Sequence, residues 1–278
     1  MIEIINVSKK FGRNTVLKNV SLKINRGEIY GLVGKNGVGK TTLLSIIAGL
    51  SKSTNGEIKC KERTKIGFLP DVPEYYDTLT ANEYIDFLLK YKNSETRKNV
   101  LCMVHVDGNK KIRTMSRGMK QRVGIATVLI NNPDIILLDE PTSALDPLGR
   151  QEVLEVLLNL KKAGKTIILS THILNDMEKI CDRVGFLVDG EIKKEVDIKN
   201  YRENCLKLQI KFDNNVEIEN LMNEIDCKKV EDNFFRAKIN NIMNQQEFFL
   251  KLSKIESRII ELKTEKVDLD EVFNEVCK

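Results

Sequence analysis

The stretch Gly34-Lys-Asn-Gly-Val-Gly-Lys-Thr-Thr42 constrains the fold of this chain more than any other. Before it, Gly27–Val33 reads as a short buried strand. After it, Thr41–Leu50 carries Leu43, Leu44, Ile47 and Leu50 at helical spacing. The glycines therefore lie between a strand and a helix N-terminus, where backbone N–H groups lack intrahelical partners and the helix dipole favours an anion. Glycine lets those groups turn inward around an oxygen-rich ligand without steric cost. Gly34-x4-Gly39-Lys40-Thr41 is the P-loop pattern, so a bound nucleotide is expected. Lys40 would reach the β- and γ-phosphates and the Thr41 hydroxyl would face Mg²⁺. Gly34, Lys35, Asn36, Gly37, Val38, Gly39, Lys40, Thr41 and Thr42 are all candidate ATP-binding residues.

At 278 residues, 41% hydrophobic and 31% charged, the chain suits a globular protein of one large and one small domain. The net charge of +5 is spread through interspersed Lys and Glu, with no basic block or RNA-type aromatic pattern, so no nucleic-acid partner is expected. Six cysteines occur without C-x-x-C spacing, which argues against zinc or a disulfide framework and for reduced, buried thiols in a cytosolic protein. The N-terminus opens as an alternating strand rather than a signal peptide. No apolar run approaches the roughly 18 residues of a spanning helix, so any membrane function would be borrowed from another chain.

Strand and helix patterns alternate through the first 200 residues. Strands are expected at Ile2–Val7, Val16–Ile24, Glu28–Val33, Glu57–Lys59 and Lys65–Leu69. Thr80-Ala-Asn-Glu83 is a capping-box signature that opens a run of helical patterns ending near Ile130. Asp134–Leu138 and Thr166–Ser170 are apolar runs typical of strands buried on both faces. A helix over Gln151–Lys162, another from Ile173 and a strand at Val184–Val188 complete a mostly parallel α/β core, with the helical subdomain (about 78–130) inserted between core strands. Residues 1–200 form this domain. Residues 201–278 change character: strands at Leu206–Ile210, Lys228–Val230, Phe234–Ile239 and Ile259–Leu262, with helices at Val216–Ile225 and around Phe248, Phe249 and Leu252. That βαββαβ order predicts a small α+β, ferredoxin-like accessory domain.

Two further segments carry chemistry. Ile135-Ile-Leu-Leu-Asp139-Glu140 ends a buried strand with adjacent carboxylates. Beside a P-loop, Asp139 is placed to hold Mg²⁺ and Glu140 to polarise an attacking water. Met115-Ser-Arg-Gly-Met-Lys-Gln-Arg122 precedes a helix bearing Val123, Ala126 and Ile130. Ser116 is a natural N-cap there, and Gly118 permits close backbone approach to a ligand.

At this point the chain resembles the ABC transporter ATPases. The Met115–Arg122 segment is similar to their signature motif, usually Leu-Ser-Gly-Gly-Gln. Ser143-Ala-Leu-Asp146 looks like the D-loop, His172 after Leu169-Ser-Thr171 like the switch histidine, and Phe11-Gly12 like the adenine-stacking aromatic. These features follow the family order across residues 1 to about 195. The resemblance implies an α/β P-loop NTPase fold and ATP hydrolysis with Mg²⁺, with Lys40, Glu140 and His172 as catalytic residues. It also implies a head-to-tail homodimer, or heterodimer with a second ABC ATPase, in which Ser116 and Gly118 of one subunit face the ATP on the P-loop of the other. Asp146 would couple the two sites and His172 would contact the γ-phosphate.

Asp71 stands where most of the family has glutamine, bringing a third carboxylate near Asp139 and Glu140, in a position to ligand Mg²⁺ or orient water. Leu-Pro-Asp71, the Arg117 and Met119 substitutions and the tail Val267-Asp-Leu-Asp-Glu-Val-Phe273 look like ABC-2-type exporters. Such a subunit would sit in the cytoplasm on the inner face of the cell membrane, docked on a separate integral-membrane permease. A soluble ABC ATPase with no transport role, or a nucleotide-dependent regulator, is the alternative.

Overall fold

Strands β3 (Ile29–Val33), β6 (Ile135–Asp139) and β7 (Thr166–Thr171) are buried along their whole length. Their unbroken apolar sequence reflects a sheet packed on both faces, where alternation has no solvent side to serve. In this computed structural model, residues 1–89, 93–204, 206–214, 226–239, 242–265 and 269–277 are described. They divide into a unit of Met1–Val196 with Phe273–Lys278 and a unit of Asp197–Val272.

The first unit is built on a six-stranded sheet of order β5-β6-β7-β3-β8-β9, with β5 at Ile66–Leu69, β8 at Arg183–Val188 and β9 at Glu191–Asp197. β5, β6, β7, β3 and β8 are parallel, in a register pairing Leu69 with Leu138, Asp139 with Ser170 and Val33 with Thr171. That register brings the C-terminal ends of four neighbouring strands to one edge, where a parallel α/β sheet presents its ligand crevice. The chain leaves β3 through the glycine loop into α1 (Lys40–Ile47).

A second, antiparallel sheet of order β2-β1-β4 comprises β1 (Ile2–Phe11), β2 (Asn14–Ile24) and β4 (Asn55–Cys60). Its buried Ile2, Ile4, Leu22 and Ile24 join Leu43, Leu44 and Ile47 of α1 in one core. β1 runs to Phe11, past its expected end at Val7, because the alternation continues through polar residues paired to β2.

The helical subdomain holds α2 (Ala81–Leu88), α3 (Ser94–Met103) and α4 (Arg117–Leu129). The capping box at its start is formed in both directions: the Thr80 hydroxyl accepts from Glu83 N at 3.2 Å, and Glu83 Oε2 accepts from Thr80 N at 2.7 Å. Buried Arg122 of α4 donates to the carbonyls of Val104 and His105 and pairs with Glu152 at 3.0 Å. Glu152 lies on α5 (Pro147–Lys162), which starts before the expected Gln151 because Pro147 sits in its first turn, where a missing N–H is harmless. α6 (Leu174–Ile180) follows β7. β9 was not expected, since its exposed Lys193, Lys194 and Glu195 hide the alternation.

The second unit contains an antiparallel sheet of order β11-β12-β10-β13, with β10 at Leu206–Phe212, β11 at Asp226–Glu231, β12 at Phe234–Ile239 and β13 at Ile259–Glu265. Phe248 and Leu252 of the helix Ile242–Leu252 pack into its core with Ile210, Phe212 and Phe235. The expected helix Val216–Ile225 lies outside the described residues.

The chain divides at 196/197 rather than 200, and its last residues, expected in the accessory part, belong with the first unit. There the Phe273 ring lies 6.1 Å from that of fully buried Phe186 of β8. Phe273→Ala is expected to destabilise the protein by about 1–3 kcal/mol, read as a lower urea midpoint. A midpoint equal to wild type would show that the Phe186 contact carries no stability.

Candidate functional site

Between β3 and α1 the glycine loop is forced close to its neighbours. A side chain on Gly34 would meet the Leu187 carbonyl oxygen at 2.5 Å, and Gly39 has φ +109° with Leu17 Cδ2 only 2.8 Å from where a Cβ would lie. The first site admits no Cβ and the second a backbone that side chains rarely adopt. The loop so shaped borders a cavity of about 420 Å³ lined by Val16, Gly37, Lys40, Thr41, Asp71 and Glu140, among others.

Lys40, only 6% exposed, donates to the Gly34 carbonyl at 2.7 Å and the Lys35 carbonyl at 3.3 Å. Its ammonium also lies 3.1 Å from Glu140 Oε1. The other carboxylate oxygen, Oε2, accepts from His172 Nδ1 at 2.9 Å. Glu140 has φ +47°, a left-handed conformation costing a non-glycine residue roughly 1–2 kcal/mol. Its N–H holds that turn by donating to the Ser170 carbonyl at 3.1 Å and hydroxyl at 3.0 Å. The same Ser170 hydroxyl donates to Asp139 Oδ1, so β7 steadies both acids at the end of β6.

Asp71 lines the cavity while staying solvent-exposed. Partial desolvation is the largest influence raising its pKa above the ordinary 3.8, followed by the charges of Asp139 and Glu140; His172 and Lys40 oppose them. Lys40, Asp71, Asp139, Glu140 and His172 thus act on one another, as the sheet register requires.

The other candidates lie apart. Ser116 caps α4, its hydroxyl accepting from Met119 N at 3.2 Å. Gly118 packs on α5, with Gly149 Cα 3.0 Å from where its Cβ would be, and Asp146 precedes α5. Among the described residues no hydrogen bond or ion pair links these three to the glycine loop, and they do not line its cavity. Phe11, 54% exposed, ends β1 with the Lys9 ammonium 4.8 Å from its ring centre. Ser170, Thr142 and Val16 were not singled out as site residues: they are small or apolar residues in strands and loops, whose type alone marks no role. Cys60, Cys102, Cys181, Cys227 and Cys277 form no disulfide; Cys181 and Cys227 are buried as expected but Cys60 and Cys102 are exposed. No helix among the described residues is long and apolar enough to cross a membrane.

The fold and this site define a P-loop nucleotide-binding protein. The ABC transporter family model matches residues 17–143. The lantibiotic transport ATP-binding protein SrtF of Streptococcus pyogenes is 37% identical over 77% of this chain and 99% of its own length. An uncharacterized ABC transporter ATP-binding protein of Synechocystis is 41% identical over 63% of this chain, a match that spans only 55% of that relative. An ATP-binding cassette solved as a dimer in a post-hydrolysis state with ADP and Pi superposes with a TM-score of 0.62 at 33% identity, covering 71% of this chain and 99% of that one. The chain belongs to the ABC transporter family as an ATP-binding protein, an ABC-type ATPase.

Replacing Lys40 by Ala leaves the nearly buried Glu140 carboxylate with His172 alone and removes the buried ammonium of the glycine loop. ATP affinity is expected to fall roughly 10- to 100-fold, as measured by binding of a fluorescent ATP analogue; wild-type affinity would contradict it.

Asp71 makes a stability prediction with a definite sign. A carboxyl whose folded-state pKa is raised costs stability when ionised: the cost is absent below the unfolded-state pKa and complete above the folded-state one. Asp71→Asn should therefore raise the thermal midpoint of nucleotide-free, metal-free protein at about pH 7 but not at about pH 3. Calorimetry at both values checks this, and equal midpoints at about pH 7 would refute it.

Proposed function

We propose that this chain is the ATP-hydrolysing subunit of an exporter, working on a separate integral-membrane permease from the cytoplasmic face of the membrane. The observation that carries the reading is Glu140 held between Lys40 at 3.1 Å and His172 at 2.9 Å beside the glycine loop. The lantibiotic transport relative, similar over nearly its whole length, supports the transport role.

In this reading the loop N–H groups from Gly34 to Thr42 and the Lys40 ammonium receive the phosphates. Glu140 accepts a proton from the attacking water, and His172, whose Nδ1–H is committed to Glu140, orients that carboxylate. Phe11 stacks on the adenine. The oxygen donors of Thr41, Asp139 and Asp71 fit Mg²⁺, which favours one or two carboxylates plus substrate phosphates over an all-protein cage. Desolvation is the main cause of the raised Asp71 pKa, and the charges of Asp139 and Glu140 add to it; a cation there would relieve that added repulsion. Bound Mg²⁺ would neutralise charge developing on the phosphates.

Ser116, Gly118 and Asp146 lie off the cavity of their own chain, and this supports a head-to-tail dimer in which they complete the partner's site. A helix N-terminus on either side of one γ-phosphate makes closure depend on that phosphate, so hydrolysis reopens the pair. A structural relative solved as a dimer with ADP and Pi supports pairing of two such chains. For the accessory unit, the antiparallel strand order β11-β12-β10-β13 supports a ferredoxin-like plan.

Glu140→Gln keeps the shape of the side chain but cannot take the proton. Turnover should fall about 100-fold or more while ATP binding persists, and MgATP should trap a dimer visible by size-exclusion chromatography. Wild-type turnover would overturn the role of Glu140; a monomer at saturating MgATP would count against the shared site.

A further inference from the structure

Asp176 is a buried charge with no part in the chemistry above. It lies in the first turn of α6 and is 1% exposed. Thr142, fully buried, donates its hydroxyl to Asp176 Oδ2 at 2.7 Å. Arg150 of α5 brings its Nε to 3.7 Å from the same oxygen, near enough for charge attraction and too far for a hydrogen bond. An apolar residue would be cheaper to bury at this point than a carboxylate so placed.

The two ends of the Thr142–Asp176 bond belong to the two segments that meet at the site. Thr142 lies two residues beyond Glu140, in a turn where Ser143 donates to the Glu140 carbonyl from its N–H at 3.3 Å and its hydroxyl at 3.1 Å. α6 begins two residues beyond His172, and the Ile173 N–H donates to the Thr171 hydroxyl at 3.0 Å. His172 itself is 47% exposed, so packing does little to fix its ring. Its contact with Glu140 depends on how the two backbones are held relative to each other.

We propose that Asp176 is a positioning residue for ATP hydrolysis, clamping Thr142 so that the turn carrying Glu140 and the segment carrying His172 stay in contact register. This rests on Glu140 acting as the base. A buried hydrogen bond between the turn after Glu140 and α6 is suited to the task, because it adds a tie beyond the end of the β6–β7 pairing, and breaking it leaves the buried Asp176 carboxylate with only the more distant Arg150 charge beside that oxygen.

The test is steady-state ATP hydrolysis by the full chain, with fluorescent ATP-analogue binding and thermal unfolding measured alongside. Thr142→Val removes the donor while keeping shape, and Asp176→Ala removes the acceptor; Thr142→Val also keeps the test alive if Asp176→Ala does not fold. Both should lower kcat about 10- to 100-fold, with KM and analogue affinity changed by no more than about threefold. Asp176→Asn, which can still accept from Thr142, should recover kcat to within about threefold of wild type. Wild-type kcat in both Thr142→Val and Asp176→Ala, with Glu140→Gln inactive, would overturn the clamp and leave the base intact. A lower thermal midpoint with kcat unchanged would reduce the pair to a structural role and overturn it equally. Full turnover in Glu140→Gln would instead remove the base assignment on which the clamp depends.

Discussion

The Lys40–Glu140 ion pair joins the glycine loop to the end of β6, with side chains only 6% and 11% exposed. Two charges removed this far from water cost more than their attraction returns unless other donors and acceptors complete them. Here the completion is visible: Lys40 reaches the Gly34 and Lys35 carbonyls, and Glu140 takes the His172 ring. Gly34 and Lys35 follow β3, Glu140 follows β6 and His172 follows β7. The pair therefore exists only if β3, β6 and β7 keep their parallel register, and any slip of one residue would separate the charges and strand them.

Glu140 shows how the sheet supports a conformation that local sequence disfavours. Its left-handed backbone turns the chain sharply after β6, and Ser170 of β7 holds it through two acceptors on the Glu140 N–H while donating to Asp139. The strain is of the same order as the hydrogen bonds that hold the turn, so it persists because the surrounding sheet fixes both ends. What it achieves is to point adjacent residues to different tasks: Asp139 stays buried against Ser170, while Glu140 faces Lys40 and the cavity.

The helical subdomain and α5 gather a second set of residues, Ser116, Gly118 and Asp146, around the close approach of Gly118 to Gly149. Arg122 anchors α4 against both the Val104–His105 backbone and Glu152 of α5. α5 also carries Arg150, which faces Asp176. α5 thus contacts both α4, through Glu152 and Arg122, and α6, through Arg150 and Asp176.

Much of this was legible in the sequence, because the informative signals are local. The glycine loop, the apolar runs of β3, β6 and β7, the capping box at Thr80–Glu83 and the cap at Ser116 each depend on residues within a few positions of one another. Such signals named the backbone that shapes the loop and the acids at the end of β6. They did not show that Ser170 would secure both Asp139 and Glu140, that Thr142 would meet Asp176, or that Phe273 would return to Phe186. Those contacts join residues tens of positions apart, and none has a spacing to announce it. Sequence alone determined which short segments could cradle a phosphate and carry a carboxylate. Only the tertiary structure, through the register of parallel strands, decided which charges meet, since that register is set by packing across the whole sheet rather than by any one segment.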